Sequence, residues 1–233
     1  MNITATPRTL HGEGLSKQRY LETGYSKHMR EEWFEQLYDY IHTRFRFSIF
    51  VYMVFRMYMF MGLRGCEIVR LRREDFSSDF REVTYDRAKR KTKKAHTRQV
   101  PDFLARDLAK YYARQYNYIS CCGWFFPAVL NKKCKHKHLS RTTINYYFGW
   151  MRQELNIGRI YHYRSDGKPL WDPSPHCWRH YVSLKMYEAT GKDIVQTSKI
   201  IGHANPKVTA HYVYSQEKRK VERHAADTMW KKK

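Results

Sequence analysis

Three separated segments of this chain hold side chains of the kind that grip a phosphate. Gly62-Leu63-Arg64-Gly65-Cys66-Glu67 offers a planar, permanently charged guanidinium that matches two phosphate oxygens, with a carboxylate one turn on to hold it. In His176-Cys177-Trp178-Arg179-His180, helical geometry would set His176 and Arg179 on one face, a proton acceptor beside a guanidinium. Gly202-His203 is followed nine residues on by Tyr212, with Tyr214 as a competing phenol. A phosphodiester is already anionic, and attack at phosphorus adds charge to its equatorial oxygens. Donors fixed in advance offset that charge, and losing one typically costs about 10²–10³ in rate. A tyrosine, with an ordinary pKa of about 10, needs positive neighbours or a base to attack. Taken singly, each segment has a bland reading: a surface Arg–Glu pair, a basic helix face, or one packing tyrosine among 19.

Other chemistries fit less well. Cys121, Cys122, Cys134, His136 and His138 crowd together, but an adjacent Cys pair and a Cys-x-His-x-His alternation do not match structural zinc spacings. A metal-dependent nuclease needs clustered carboxylates, whereas Asp102, Asp107 and Asp172 form no paired motif. No Gly-rich loop ends in Gly-Lys-Ser/Thr. The sequence therefore points to no metal and no cofactor.

Forty-four Lys and Arg against 22 Asp and Glu leave a formal charge of +22 over 233 residues. A surplus of that size repels itself in the folded state and is compensated where a polyanion binds, which makes nucleic acid the leading partner. An anionic membrane ranks second. The most apolar stretch, 47–63, is short for a span and is broken by Arg56, so a buried helix fits better. Met1 to Gly14 is polar and carries no apolar signal-peptide core. Five cysteines suit reduced thiols in a cytosol-like compartment. A chain this long can bury roughly 70–75% of its unfolded surface and needs no staple to fold.

The elements that must position these groups follow from periodicity. Eleven glycines and seven prolines are few, which favours long helices. Residues 1–29 read as a polar arm and 30–215 as one domain. Within that domain, Trp33, Leu37 and Ile41 mark a helix and 47–63 a central one. Val83 to Pro101 reads as a hairpin with a Lys-rich turn. Phe103 to Tyr112 returns to helix, 119–139 is irregular, and Ser140 caps a helix through Leu155. Residues 158–175 read as a loop. Helices follow at 176–190, stopped by Gly191, and 193–201, stopped by Gly202. Asn205-Pro206 starts the last one, and 216–233 is a basic tail.

Taken in order, Gly-Leu-Arg-x-x-Glu, a Lys-rich hairpin, His-x-x-Arg-His, Gly-His and a tyrosine nine residues on resemble the tyrosine recombinase, or phage integrase, family over about 30–215. The resemblance implies a mainly helical catalytic domain with a small antiparallel sheet, the DNA breaking-rejoining fold. It implies site-specific cleavage and rejoining of duplex DNA, with Tyr212 forming a 3′-phosphotyrosyl link. Arg64 and Arg179 would clamp the non-bridging oxygens. His176 would accept the tyrosine proton or bond the phosphate, and His203 would add a donor. Either Lys91 or Lys93 would protonate the departing 5′ oxygen. Glu67 and His180 would support these groups, and Lys89, Arg90, Lys94, Arg98, Lys132, Lys133, Lys135 and Arg141 would meet the DNA backbone. Family members assemble on DNA, usually as tetramers, in the cytoplasm or nucleoid, or inside a host cell if viral. No membrane and no small-molecule substrate are implied. A DNA-binding protein that kept the scaffold without its activity, and a type IB-like topoisomerase, are the alternatives. Fewer than 30 residues precede the first helix, where family members carry a further helical module, so a minimal recombinase or a truncated chain is expected. Trp178 is bulkier than usual beside that Arg, and Cys66 stands where a small polar residue is common.

Overall fold

A computed structural model describes residues 29–43, 48–86, 95–128, 137–163, 165–203, 205–211 and 213–214. Two helices open it, α1 (Glu31–Thr43) and α2 (Ile49–Met61). Ten of the 13 residues of α2 are buried, so this apolar helix runs through the core rather than along its surface. Fully burying each of its Phe, Met and Val side chains is worth about 1.5–3 kcal/mol. Arg56, the charge inside that run, is buried but compensated: it pairs with Asp107 and His42 and also donates to the Tyr52 hydroxyl at 3.3 Å. Among the described residues no helix is long and apolar enough to cross a membrane.

Gly62 ends α2 in the left-handed region at φ 57°, and a Cβ there would meet the Val182 Cβ at 2.8 Å. Only glycine satisfies both conditions. The short helix α3 (Gly65–Ile68) follows, then a 3₁₀ turn at Arg73–Asp75. Strands β1 (Glu82–Asp86) and β2 (Ala95–Gln99) pair antiparallel from Glu82 opposite Gln99 to Asp86 opposite Ala95. Helix α4 (Asp102–Cys122) runs through part of the stretch expected to be irregular and stops only at Gly123. Ser140 caps α5 (Arg141–Glu154), its hydroxyl accepting from the Thr143 N–H at 3.0 Å.

The stretch expected as a loop contains a second hairpin, β3 (Arg159–Tyr163) with β4 (Pro169–Asp172). Helices α6 (Pro175–Ala189) and α7 (Ile194–Ile201) follow, the latter capped by Asp193 Oδ1 accepting from the Gln196 N–H at 2.8 Å. Residues 206–211 are helical, with Asn205 Oδ1 accepting from the Lys207 N–H at 2.9 Å. Helix α6 lies against α2, and Trp178 on α6 is fully buried. Its ring lies 6.1–6.4 Å from those of Phe34, Phe55 and Phe148, which accounts for the large side chain beside Arg179.

Candidate active site

The turn after α2 carries Arg64 at the N-cap of α3 in extended backbone. Glu67, one turn on and 3% exposed, organises it. Its Oε2 accepts from the Arg64 backbone N–H at 2.7 Å, and its Oε1 from Arg64 Nη1 at 2.8 Å. The guanidinium is thereby aimed while its side chain stays 39% exposed.

Arg179 comes to the same carboxylate from α6, its Nη1 lying 4.0 Å from Glu67 Oε2. It is 1% exposed. Nη1 donates to the Gly62 carbonyl at 2.8 Å and Nη2 to the Ile201 carbonyl at 3.0 Å. One guanidinium thus ties the turn after α2 to the turn after α7. Its Nε is buried without a partner among the described residues. Burial, and then the Arg64 charge, lower Arg179 to about 10, so it is still a cation at neutral pH.

Two residues beyond Ile201, His203 is buried, and its Nδ1 shares a hydrogen bond with Thr209 Oγ1 at 2.7 Å. Gly202 between them has φ 75°, and a Cβ there would lie 2.7 Å from the His96 ring of β2. That contact seats the first hairpin on the Gly202–His203 turn.

His176 opens α6, exposed, its ring 4.9 Å from that of His180 and nearly perpendicular to it. With Arg64, Arg141 and Tyr58 it lines a cleft of about 620 Å³. A second cleft of about 420 Å³, lined by Cys66 and Glu67, has Arg70 and Arg72 in its walls, with the Arg72 guanidinium 4.5 Å above the Trp124 ring.

Residues 27–219 match the model of the phage integrase family. This chain belongs to that family. The integrase fold is also found among solved structures. The crystal structure of the XerH site-specific recombinase bound to difH substrate, a pre-cleavage complex, aligns over 80% of this chain and 50% of its own, with a TM-score of 0.60 at 18% identity. For the XerA recombinase the coverages are 84% and 64%, the TM-score 0.61 and the identity 15%. The Tn1549 transposon integrase in complex with circular intermediate DNA gives 85% and 67%, 0.61 and 15%. The chain therefore spans about half the length of XerH and about two thirds of the other two. No curated protein matches it. The mostly helical architecture with small antiparallel sheets is that of tyrosine recombinase catalytic domains.

Of the residues named from the integrase pattern, Arg64, Glu67 and Arg179 meet, His203 is tethered to them through Ile201, and His176 shares a cleft with Arg64. Tyr212, Lys91, Lys93, Lys89, Arg90, Lys94, Lys132, Lys133 and Lys135 lie outside the described residues, as do Cys134 and His136. Arg141 is exposed on the first turn of α5, facing that cleft. Arg98 differs from expectation. It is 6% exposed and donates to the Met61 carbonyl, bracing the end of α2 rather than facing a polyanion. Strand alternation explains this: Ala95, Thr97 and Gln99 face outward while Arg98 turns in. Sequence reasoning did not single out Tyr58, His96 or Thr209. A residue's part in fixing a distant glycine turn leaves no periodic trace.

Proposed function

We propose that this chain cleaves and rejoins duplex DNA at specific sites through a phosphotyrosyl intermediate, without metal or nucleotide. One observation carries the reading: two arginines 115 residues apart in sequence share the carboxylate of Glu67, which is the arrangement needed to hold one anionic centre from two sides. The DNA-bound relatives and the charge of +22 support duplex DNA as the partner.

In this reading the Tyr212 oxygen attacks the scissile phosphorus, a P–O bond forms, and the bond to the 5′ oxygen breaks. Arg64 presents its half-exposed fork to the non-bridging oxygens. Arg179 acts through its spare Nε and the remaining Nη hydrogens, and its burial means that phosphate reaches it only after local opening. His176, exposed on the cleft wall, takes the phenolic proton or bonds phosphate. His203, oriented by Thr209, adds a donor. Lys91 or Lys93 protonates the leaving oxygen. The reverse sequence rejoins the strand, because the energy of the broken bond is kept in the phosphotyrosine. Assembly on DNA, as a tetramer, completes the exchange.

The test uses a pool of nicked suicide duplexes of randomised sequence, incubated in EDTA. A denaturation-resistant protein–DNA band is expected, lost in Tyr212→Phe with binding retained. A band absent from the wild type, or persisting in Tyr212→Phe, would overturn the assignment.

A further inference from the structure

The cleft beside Arg64 has a floor that the mechanism above does not use. Tyr58, on the last turn of α2, is 5% exposed, yet it lines this cleft, with its hydroxyl against Gly65, another lining residue. No described residue bonds that hydroxyl. Gly65 makes room for it: a Cβ on residue 65 would lie 2.1 Å from Tyr58 Oη, so any other residue there would displace it. Burial raises the phenol far above its usual pKa, so it stays a neutral O–H donor throughout the physiological range. Around it the surroundings favour an anion. Arg64 and Arg141 supply two cations, and the first turns of α5 and α6, carrying Thr142 and His176, line the same space, with Asn145 one turn further along α5. Two helix N-termini and two guanidinium groups around the hydroxyl of a tyrosine whose ring is buried form an acceptor-seeking pocket.

We infer that Tyr58 donates a hydrogen bond through Oη to a phosphodiester oxygen of the DNA strand seated between Arg64 and Arg141. This rests on the proposed function and adds a further phosphate ligand to it. Tyr58 has no part in the covalent step. It is a donor that stays protonated at neutral pH, and the cleft therefore holds the strand by charge and by one directional bond together.

Tyr58→Phe removes only the oxygen and leaves the ring against Gly65. Single-turnover covalent capture is measured on suicide duplexes recovered by the wild-type protein, unmodified or with a single methylphosphonate placed at each phosphate near the break in turn. The thermal midpoint is followed alongside. Tyr58→Phe is expected to slow or weaken capture by about 10- to 100-fold with folding unchanged, as for loss of a bond to a charged acceptor. At one methylphosphonate position that defect should vanish, because the bond is already gone. Capture by Tyr58→Phe equal to wild type, while Arg64→Ala loses at least about 10², would overturn this inference and leave the proposed function standing. So would a defect that simply adds to every methylphosphonate. A wild-type protein that captures no duplex would overturn both.

Discussion

Glu67→Gln tests the geometry on which the site depends, because it keeps shape and removes only charge and acceptor capacity. The carboxylate accepts on both oxygens, from the Arg64 backbone N–H at 2.7 Å and from its Nη1 at 2.8 Å, with Arg179 Nη1 4.0 Å away. A glutamine has one oxygen and one N–H₂ group, so one of those positions must set donor against donor. The part-buried backbone N–H keeps the oxygen, since leaving it unpaired would cost about 1–3 kcal/mol. Arg64, 39% exposed, then swings toward solvent, and losing so exposed a pair costs only about 0–1 kcal/mol. The remaining charge-assisted bond becomes neutral, and Arg179 loses its counter-charge while keeping its two carbonyl partners. The expected loss of stability is about 1–2 kcal/mol. The effect on chemistry should be larger, at about 10²-fold in single-turnover covalent capture, because the Arg64 fork is no longer aimed. Urea unfolding measures the first quantity and suicide-duplex capture the second. Capture within a factor of two of wild type would refute the claim that Glu67 aims Arg64. A stability loss near 4 kcal/mol would show that the charge matters to the fold more than to the aim.

Gly202→Ala combines a φ of 75° with a Cβ only 2.7 Å from His96, so it should destabilise by more than about 1 kcal/mol in urea and displace His203 enough to lower capture. Trp178→Ala removes a fully buried ring packed near Phe34, Phe55 and Phe148 and should cost about 3–5 kcal/mol by denaturant midpoint. The Cys177 thiol donates to Asp172 Oδ1 at 3.0 Å, and burial, then that carboxylate, push it well above its ordinary value of 9.0. The folded state therefore holds this proton more tightly than the unfolded one. Its contribution is fully present below pH 9.0 and fades as the pH rises beyond that, so urea midpoints should fall on the alkaline side, less steeply in Cys177→Ala.

Much of the fold was legible because long amphipathic runs and glycine stops are local signals. The 47–63 run, the Ser140 cap and the Gly62, Gly191 and Gly202 endings all appear where periodicity places them. The β3–β4 hairpin was not legible. Its five- and four-residue strands sit in a Gly, Pro and Asp-rich stretch, and their pairing of Ile160 with Trp171 is visible only in three dimensions. Arg98 was misplaced because a run of basic residues hides the two-residue alternation that turns one of them inward. For the candidate site, residue types and order singled out Arg64, Glu67, Arg179 and His203, which the fold brings near one another. They carried no hint that Arg179 would spend two donors on the Gly62 and Ile201 carbonyls and so join the turns it serves. Tyr58 escaped notice for a related reason. Its significance lies in the missing Cβ of Gly65, and an absent atom has no sequence pattern.

The most direct test of the central claim is to isolate the covalent protein–DNA product, digest both components, and locate the residual nucleotide by mass spectrometry. One modified peptide is expected, carrying a 3′-linked nucleotide on Tyr212. A nucleotide on Tyr214 or any other residue, or a 5′ linkage, would contradict it.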